Sequence, residues 1–320
     1  MTPASADASF RRYFRVRTRG ASYIAVDAPP ALEDSRPFIK VAACLAAMEL
    51  NAPRVIAAEP ALGFMLLTDL GNTTYLSKIR AEPGSIATLY DEAIMALGRL
   101  QTRGARYQDA LPPFSAELLR AEMNLFANWL CGRELDIAFT PGETRAWHDL
   151  CDLLIENAQQ QPQVFVHADF HSRNLMVTSR DNPGILDFQD AMAGPITYDL
   201  VSLLKDCYVR LPRDEVVQRA RGFHARLGAA TLQGLASDEF MRNFELMGVQ
   251  RHLKAAGIFA RLKNRDGKSG YMADVPRTLS YIVELGDRYE ELRFLVGLLQ
   301  TRVIPALGAS DTESGDQAAM

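Results

Sequence analysis

No C-x-x-C pair, no long apolar run and no excess of basic residues occur in this sequence. The four cysteines, Cys44, Cys131, Cys151 and Cys207, are scattered, which argues against a zinc site or a disulfide framework and favours reduced thiols. Thirty-five Lys and Arg against 39 Asp and Glu leave a formal net charge of -4. Without an overall basic field, nucleic acid is not expected as a partner. No apolar run approaches the roughly 18 residues needed to span a bilayer, and "MTPASADASFRRYF" lacks the apolar core of a signal peptide. A cytoplasmic protein without a membrane or evident protein partner is expected.

What is present is an ordinary globular composition, 48% hydrophobic and 23% charged over 320 residues, enough for two packed lobes. Residues 1–70 alternate short strand-like runs, "RYFRV", "SYIAV", "RVIAA" and "FMLLTDL", with one helical stretch, "RPFIKVAACLAAMELN". That pattern predicts a small mixed α/β lobe. Residues 71–307 carry apolar residues at spacings of three and four, as in "IATLYDEAIMALGRLQTR", and predict a larger, mostly helical lobe. Trp129 and Trp147 fall on such amphipathic stretches and are expected to pack inside it. Residues 308–320, "GASDTESGDQAAM", are small and polar and predict a disordered tail. There is no internal repeat.

Three β runs interrupt the helical pattern: "QVFVH", "NLMVT" and "GILDF", the last two separated by the turn-forming "SRDNP". Polar groups crowd the loop between the first two, in "VFVHADFHSRNLMV", where a buried strand would tolerate almost none. Asp169 and Asn174 lie here, and "ILDFQD" supplies Asp187 and Asp190. A hairpin can bring the two clusters together. One Asp is then placed to accept a hydroxyl proton, while an Asn and a second Asp offer hard oxygens to a divalent cation whose shell nucleotide phosphates complete. This is the outline of phosphoryl transfer.

The D-x-x-x-x-N spacing followed by a strand-borne D-F resembles the catalytic and metal-binding loops of the protein-kinase-like superfamily. "VHADFHSRN" and "GPITYDLVSLL" resemble the aminoglycoside phosphotransferase family in particular. The resemblance implies a two-lobed protein-kinase-like α+β fold, with ATP as co-substrate and Mg²⁺ as cofactor. It makes Asp169 the catalytic base, Asn174 and Asp187 the metal ligands and Asp199 a brace of the catalytic loop. "DASFRRYFRV", "VDAPPALEDSRPF", "GFMLLTDLG" and "GIFARLKNRDGKSGYMADVPRTLSYI" also resemble, in the same order, a branch of that family. Its kinases phosphorylate N-acetylmuramate and N-acetylglucosamine at the anomeric hydroxyl in bacterial cell-wall recycling. By this match the first block, with Ser9, Phe10, Arg12 and Arg15, would cover the nucleotide phosphates, and Asp69 and Leu70 would sit at the hinge near adenine.

Two departures stand out. Val26 and Asp27 occupy the place where kinases of this superfamily carry a strand Lys; Arg12, Arg15 or Lys40 is expected to supply the missing charge. Gln189 replaces the Gly of D-F-G, which implies a fixed metal loop. For the acceptor, Arg173 offers a planar fork to a lactyl carboxylate, and Asp190 and His171 are candidates for sugar contacts. His167 and His171 are otherwise read as loop braces, and a metallohydrolase built on His167, Asp169 and His171 lacks further ligands. "RLKNRDGKSG" imitates the end of a Walker A motif, but Leu262 stands where its first Gly belongs. Its basic residues Arg261, Lys263, Arg265 and Lys268 are expected at a solvated helix end. Rival readings are a kinase of the same fold for an aminoglycoside, choline or a homoserine-like alcohol, and an inactive nucleotide-binding interaction module.

Overall fold

A computed structural model describes residues 2–5 and 10–308. Ser9 and, but for Gly308, the expected tail lie outside the described residues. The chain divides into two compact units. One contains residues 1–112, 164–193 and 226–231, and the other residues 113–163, 194–225 and the chain from 232 onward.

The first unit opens with an antiparallel sheet of five strands: β1 (Thr2–Ser5), β2 (Arg12–Arg17), β3 (Ser22–Asp27), β4 (Val55–Glu59) and β5 (Phe64–Thr68), in the order β1-β2-β3-β5-β4. The tight "TRGA" turn between β2 and β3 closes on a Thr18 to Ala21 backbone bond of 2.9 Å and sets Arg12 opposite Asp27 and Arg17 opposite Ser22. Side chains on β2 alternate in facing, so residues 11, 13 and 15 share one side and Arg12 and Phe14 the other. Val26, Met65 and Leu67 are buried on the sheet, as are Phe38, Val41 and Leu45 along α1 (Arg36–Ala47), a helix started by Pro37 in its first turn.

The sheet ends at Thr68, beside the expected lobe boundary at residue 70, but this compact unit continues through α2 (Tyr75–Ala81) and α3 (Ile86–Gly104). It also takes in most of β6 (Gln163–Val166) and the small hairpin of β7 (Leu175–Met176) and β8 (Gly184–Ile185). Hydrogen bonds account for this: Ile185 donates to the Asn51 carbonyl at 2.7 Å, Val177 to Thr73 at 2.8 Å and Leu76 to Ser172 at 2.9 Å. Gly104 lets α3 approach β6, because a Cβ there would stand 2.5 Å from that of Phe165.

The second unit is helical: α4 (Ala116–Leu125), α5 (Pro141–Gln160), α6 (Tyr198–Leu204) and α7 (Arg213–Arg226, its last residue counted in the first unit), then, after the short α8 (Ala229–Leu232), whose first three residues also belong to the first unit, α9 (Ser237–Asp266) and α10 (Val275–Val283). A capping box of Thr140 and Glu143 starts α5. The centre is α9, whose 30 residues include a long buried run. Trp147 is buried and stacks on Phe126, with its ring N–H donated to Asn124 at 3.1 Å. The Walker-like segment is the end of α9: Gly267 adopts φ 69° and the amides of Gly267 and Lys268 return to the carbonyls of Lys263 and Leu262. It presents a helix C-terminus, the wrong pole for cradling phosphate. Cys131, Cys151 and Cys207 are buried, which pushes their thiols up to about 12, 12 and 11. Among the described residues no helix is long and apolar enough to cross a membrane.

Candidate active site

The catalytic-loop candidates belong to the first unit, on the turn after β6. Ala168 and Asp187 adopt φ 79° and 62°, a region that costs a non-glycine residue free energy and persists only where neighbours enforce it. His167 is one enforcer. Fully buried, its Nε2 lies 3.0 Å from the Leu186 carbonyl, while Nδ1 accepts the Asp169 amide at 3.2 Å. One nitrogen donating and the other accepting describes a neutral ring. Burial accordingly lowers its pKa to about 4, against the opposing pull of Asp169. With both nitrogens engaged by backbone, His167 is a brace, and the His-Asp-His metal arrangement is not formed. No cluster of three or more His, Cys, Asp or Glu side chains among the described residues could hold a metal ion.

Asn174 is the second enforcer. Its side-chain amide donates to the Asp169 carbonyl at 3.1 Å and to Asp187 Oδ2 at 3.2 Å, and its backbone carbonyl receives the Leu186 amide at 2.9 Å. Gln189 donates to the other Asp187 oxygen at 2.8 Å. Asn174 and Asp187 are thus neighbours with an oxygen-only donor set of one amide and one carboxylate. That suits Mg²⁺, which keeps waters and takes its remaining ligands from phosphates. Gln189, which stands where the resembled motif has Gly, thus holds the Asp187 carboxylate directly.

A cavity of about 320 Å³ borders this pair, within the range of small-molecule sites. Ile24, Phe38, Leu67 and Leu186 supply apolar wall; Asn174, Asp187 and Arg173 supply the polar end. The segment after β5 forms its edge and is tied down by Arg15. The guanidinium forks onto Asp69 at 2.6 and 3.0 Å, reaches the Gly71 carbonyl at 2.8 Å and also bonds Asn72. Burial alone would raise the Asp69 carboxyl; hydrogen bonds from Arg15, Ser22 and the Gly71 amide outweigh it and hold the pKa below the usual value. Asp69 serves this knot, and Leu70 and Gly71 border the cavity.

The remaining expected residues are distributed as follows. Arg12 is 66% exposed at its side chain and paired with Asp27 on the outer side of the hairpin. Lys40 donates to the Ala110 carbonyl. Phe10 is 65% exposed, with its amide on Glu33 at 3.1 Å. Arg173 and Asp190 are exposed on the loops flanking Asp169 and Asp187, and His171 is half-buried. Asp199 is buried in the first turn of α6, in the second unit. Sequence reading passed over Arg11, whose buried guanidinium pairs with Glu33 at 3.0 Å, and Tyr13, which lines the cavity. The alternation of β2 was the available signal: both share the facing of Arg15.

Comparison with known proteins follows the same lines. The sequence model of the phosphotransferase enzyme family matches residues 1–236. An N-acetylmuramate/N-acetylglucosamine kinase of Pseudomonas aeruginosa is 44% identical over 308 residues, covering 93% of this chain and 87% of its own. The kinase of the same description from Neisseria meningitidis is 43% identical over 319 residues, 98% of this chain and 93% of its own. Among solved structures, a Plasmodium vivax ethanolamine kinase superposes with a TM-score of 0.58 at 11% identity, over 88% of this chain and 80% of that one. A GDP complex of an aminoglycoside 2'-phosphotransferase gives 0.57 at 14%, over 88% and 93%. At those identities the structures speak to fold alone, and the fold is the expected protein-kinase-like one, with a small antiparallel sheet followed by a larger helical part.

Proposed function

The chain belongs to the phosphotransferase enzyme family, and from that premise we propose an ATP-dependent kinase for the anomeric hydroxyl of N-acetylmuramate or N-acetylglucosamine, serving cell-wall recycling. The observation that carries the substrate is identity of 43–44% over at least 93% of the chain to kinases described by those two sugars. The neighbours that act on ethanolamine or aminoglycosides share only the fold.

In this reading the sugar oxygen attacks the γ-phosphorus, its proton passes to the Asp169 carboxylate, and the bond from γ-phosphorus to the ADP oxygen breaks. A hemiacetal hydroxyl is more acidic than an ordinary alcohol and the transition state is largely dissociative, so Asp169 chiefly orients the acceptor. Asn174 and Asp187 would hold Mg²⁺, which when bound neutralises charge on the phosphates. His167 sets the Asp169 backbone through its 3.2 Å contact, and Asn174 ties the base loop to the metal-binding strand. Leu70 and the segment knotted by Arg15 border the adenine end, with Phe10 as an outer nucleotide candidate, while Arg12 and Lys40 are held by Asp27 and the Ala110 carbonyl. Arg173 would meet the lactyl carboxylate, Asp190 and His171 the sugar hydroxyls, and Asp199 would brace the loop. An inactive binding module would be expected to lack the base or a metal ligand, and Asp169, Asn174 and Asp187 are all present.

The test is ADP release from ATP and Mg²⁺ with N-acetylmuramate, N-acetylglucosamine, kanamycin and choline as separate acceptors, each repeated with Asp169→Asn. Sugar-dependent release that falls about 10²–10⁴-fold in the variant is expected, with the phosphate located on the anomeric carbon by NMR. Turnover with kanamycin or choline alone would overturn the sugar assignment.

A further inference from the structure

Phosphoryl transfer from ATP needs fixed positive charge at the α and β phosphates, and protein kinases draw it from a strand Lys held by a helix Glu. The corresponding strand here has none: Ile24 lines the cavity and Val26, on the same face of β3, is 2% exposed. The cations expected to substitute are committed elsewhere. Arg15 is spent on Asp69, Gly71 and Asn72; Arg12 lies on the outer side of β2 with Asp27; Lys40 is drawn to the Ala110 carbonyl.

We propose that Arg11, anchored by Glu33, is the phosphate-binding cation of this enzyme, an Arg–Glu pair from neighbouring segments that takes over the work of the strand Lys and helix Glu. This rests on the nucleotide half of the proposed function. Three observations lead to it. Arg11 immediately precedes β2 on the facing of Tyr13 and Arg15, both of which line the cavity. Its side chain is 7% exposed and ion-paired at 3.0 Å with Glu33, whose second oxygen takes the Phe10 amide at 3.1 Å, so the anchor holds both backbone and guanidinium. Finally, Asp187 stands within electrostatic reach: burial works against the charge on Arg11, yet Tyr13, Glu33 and Asp187 together more than offset it and the pKa lies above the ordinary value. A cation whose field reaches Asp187, the proposed metal-binding carboxylate, is suited to nucleotide phosphates gathered at that metal. Five N–H donors in a rigid fork let one guanidinium hold a carboxylate and phosphate oxygens together, which a single ammonium does less well. Replacing the strand Lys by an Arg just before β2 preserves the charge while shifting its point of origin.

The experiment is equilibrium binding of ADP and of adenosine, with Mg²⁺, to the full chain and to Arg11→Gln, Glu33→Gln, Arg12→Gln and Lys40→Gln. Arg11→Gln is expected to weaken ADP at least about tenfold and adenosine less than twofold, because only ADP carries the phosphates. Glu33→Gln should weaken ADP about threefold with adenosine unchanged, while the Arg12 and Lys40 variants stay within twofold for both. In turnover, KM for ATP should rise in Arg11→Gln while KM for the sugar holds. ADP affinity within twofold of the parent in Arg11→Gln overturns the proposal, and so does an equal loss of ADP and adenosine, which would mark a structural role. If Arg11→Gln fails to fold, undiminished ADP affinity in Glu33→Gln overturns it instead. A parent protein that binds neither ADP nor adenosine would bring down the kinase reading itself; retained sugar turnover with an indifferent Arg11 would bring down only this one.

Discussion

Acidification should loosen the catalytic loop through His167. The ring is fully buried and neutral, with a pKa of about 4 where an unfolded chain has one near 6.5. Between those values the unfolded state binds the proton and the folded state does not, so stability is present above the unfolded pKa and drains away as pH falls toward the folded one. From about pH 7.5 to about pH 5 the expected loss from this residue is about 2 kcal/mol, because pH 5 lies about 1.5 pH units below the unfolded pKa and still above the folded one. His252, buried in the second unit with a pKa of about 3 and its Nε2 2.9 Å from the Lys205 carbonyl, contributes a comparable loss. Urea unfolding of the parent and of His167→Gln at both pH values separates the two. The glutamine can donate to Leu186 without titrating, so the variant should lose about 2 kcal/mol less than the parent over the same interval. Identical pH dependence in the two proteins would refute the neutral-brace argument.

Asp187→Asn should raise the Mg²⁺ concentration needed for half-maximal turnover at least about tenfold, since one hard carboxylate of a two-residue donor set is lost; a metal titration of the ADP-release rate checks it. Gly104→Ala should destabilise the first unit by about 1–3 kcal/mol, because its Cβ would stand 2.5 Å from the Phe165 Cβ with helix and strand backbones behind both. A melting temperature equal to the parent's would show that α3 and β6 part more easily than their packing indicates.

Legibility followed sequence distance. The loop from His167 to Asn174 is local, so its polar residues stand out on an apolar run, and one hairpin brings Asp187 to Asn174. Charge balance over longer separations was opaque. Arg251 to Lys268 reads as a basic stretch, yet Arg251 is buried on Ser202 and the Tyr198 ring, and Lys254 pairs with Glu122 at 2.7 Å. Lys263 likewise meets Glu134. Those partners come from other helices, and no local pattern names them. The Arg11 ion pair is opaque for the same reason: its partner Glu33 is 22 positions away. The division at residue 70 followed the change of periodicity, whereas the compact unit follows hydrogen bonds that run from Asn51 and Thr73 to the distant hairpin.

The Leu186 backbone is grasped twice, by His167 at its carbonyl and by Asn174 at its amide. The loop bearing Asp169 and the segment bearing Asp187 are therefore joined through the backbone of one residue. Gln189 closes the remaining freedom by holding Asp187 from the other side. Such a centre is built as a fixed tool rather than a latch, and a glycine at position 189 would introduce play by removing the Gln189 hold on Asp187.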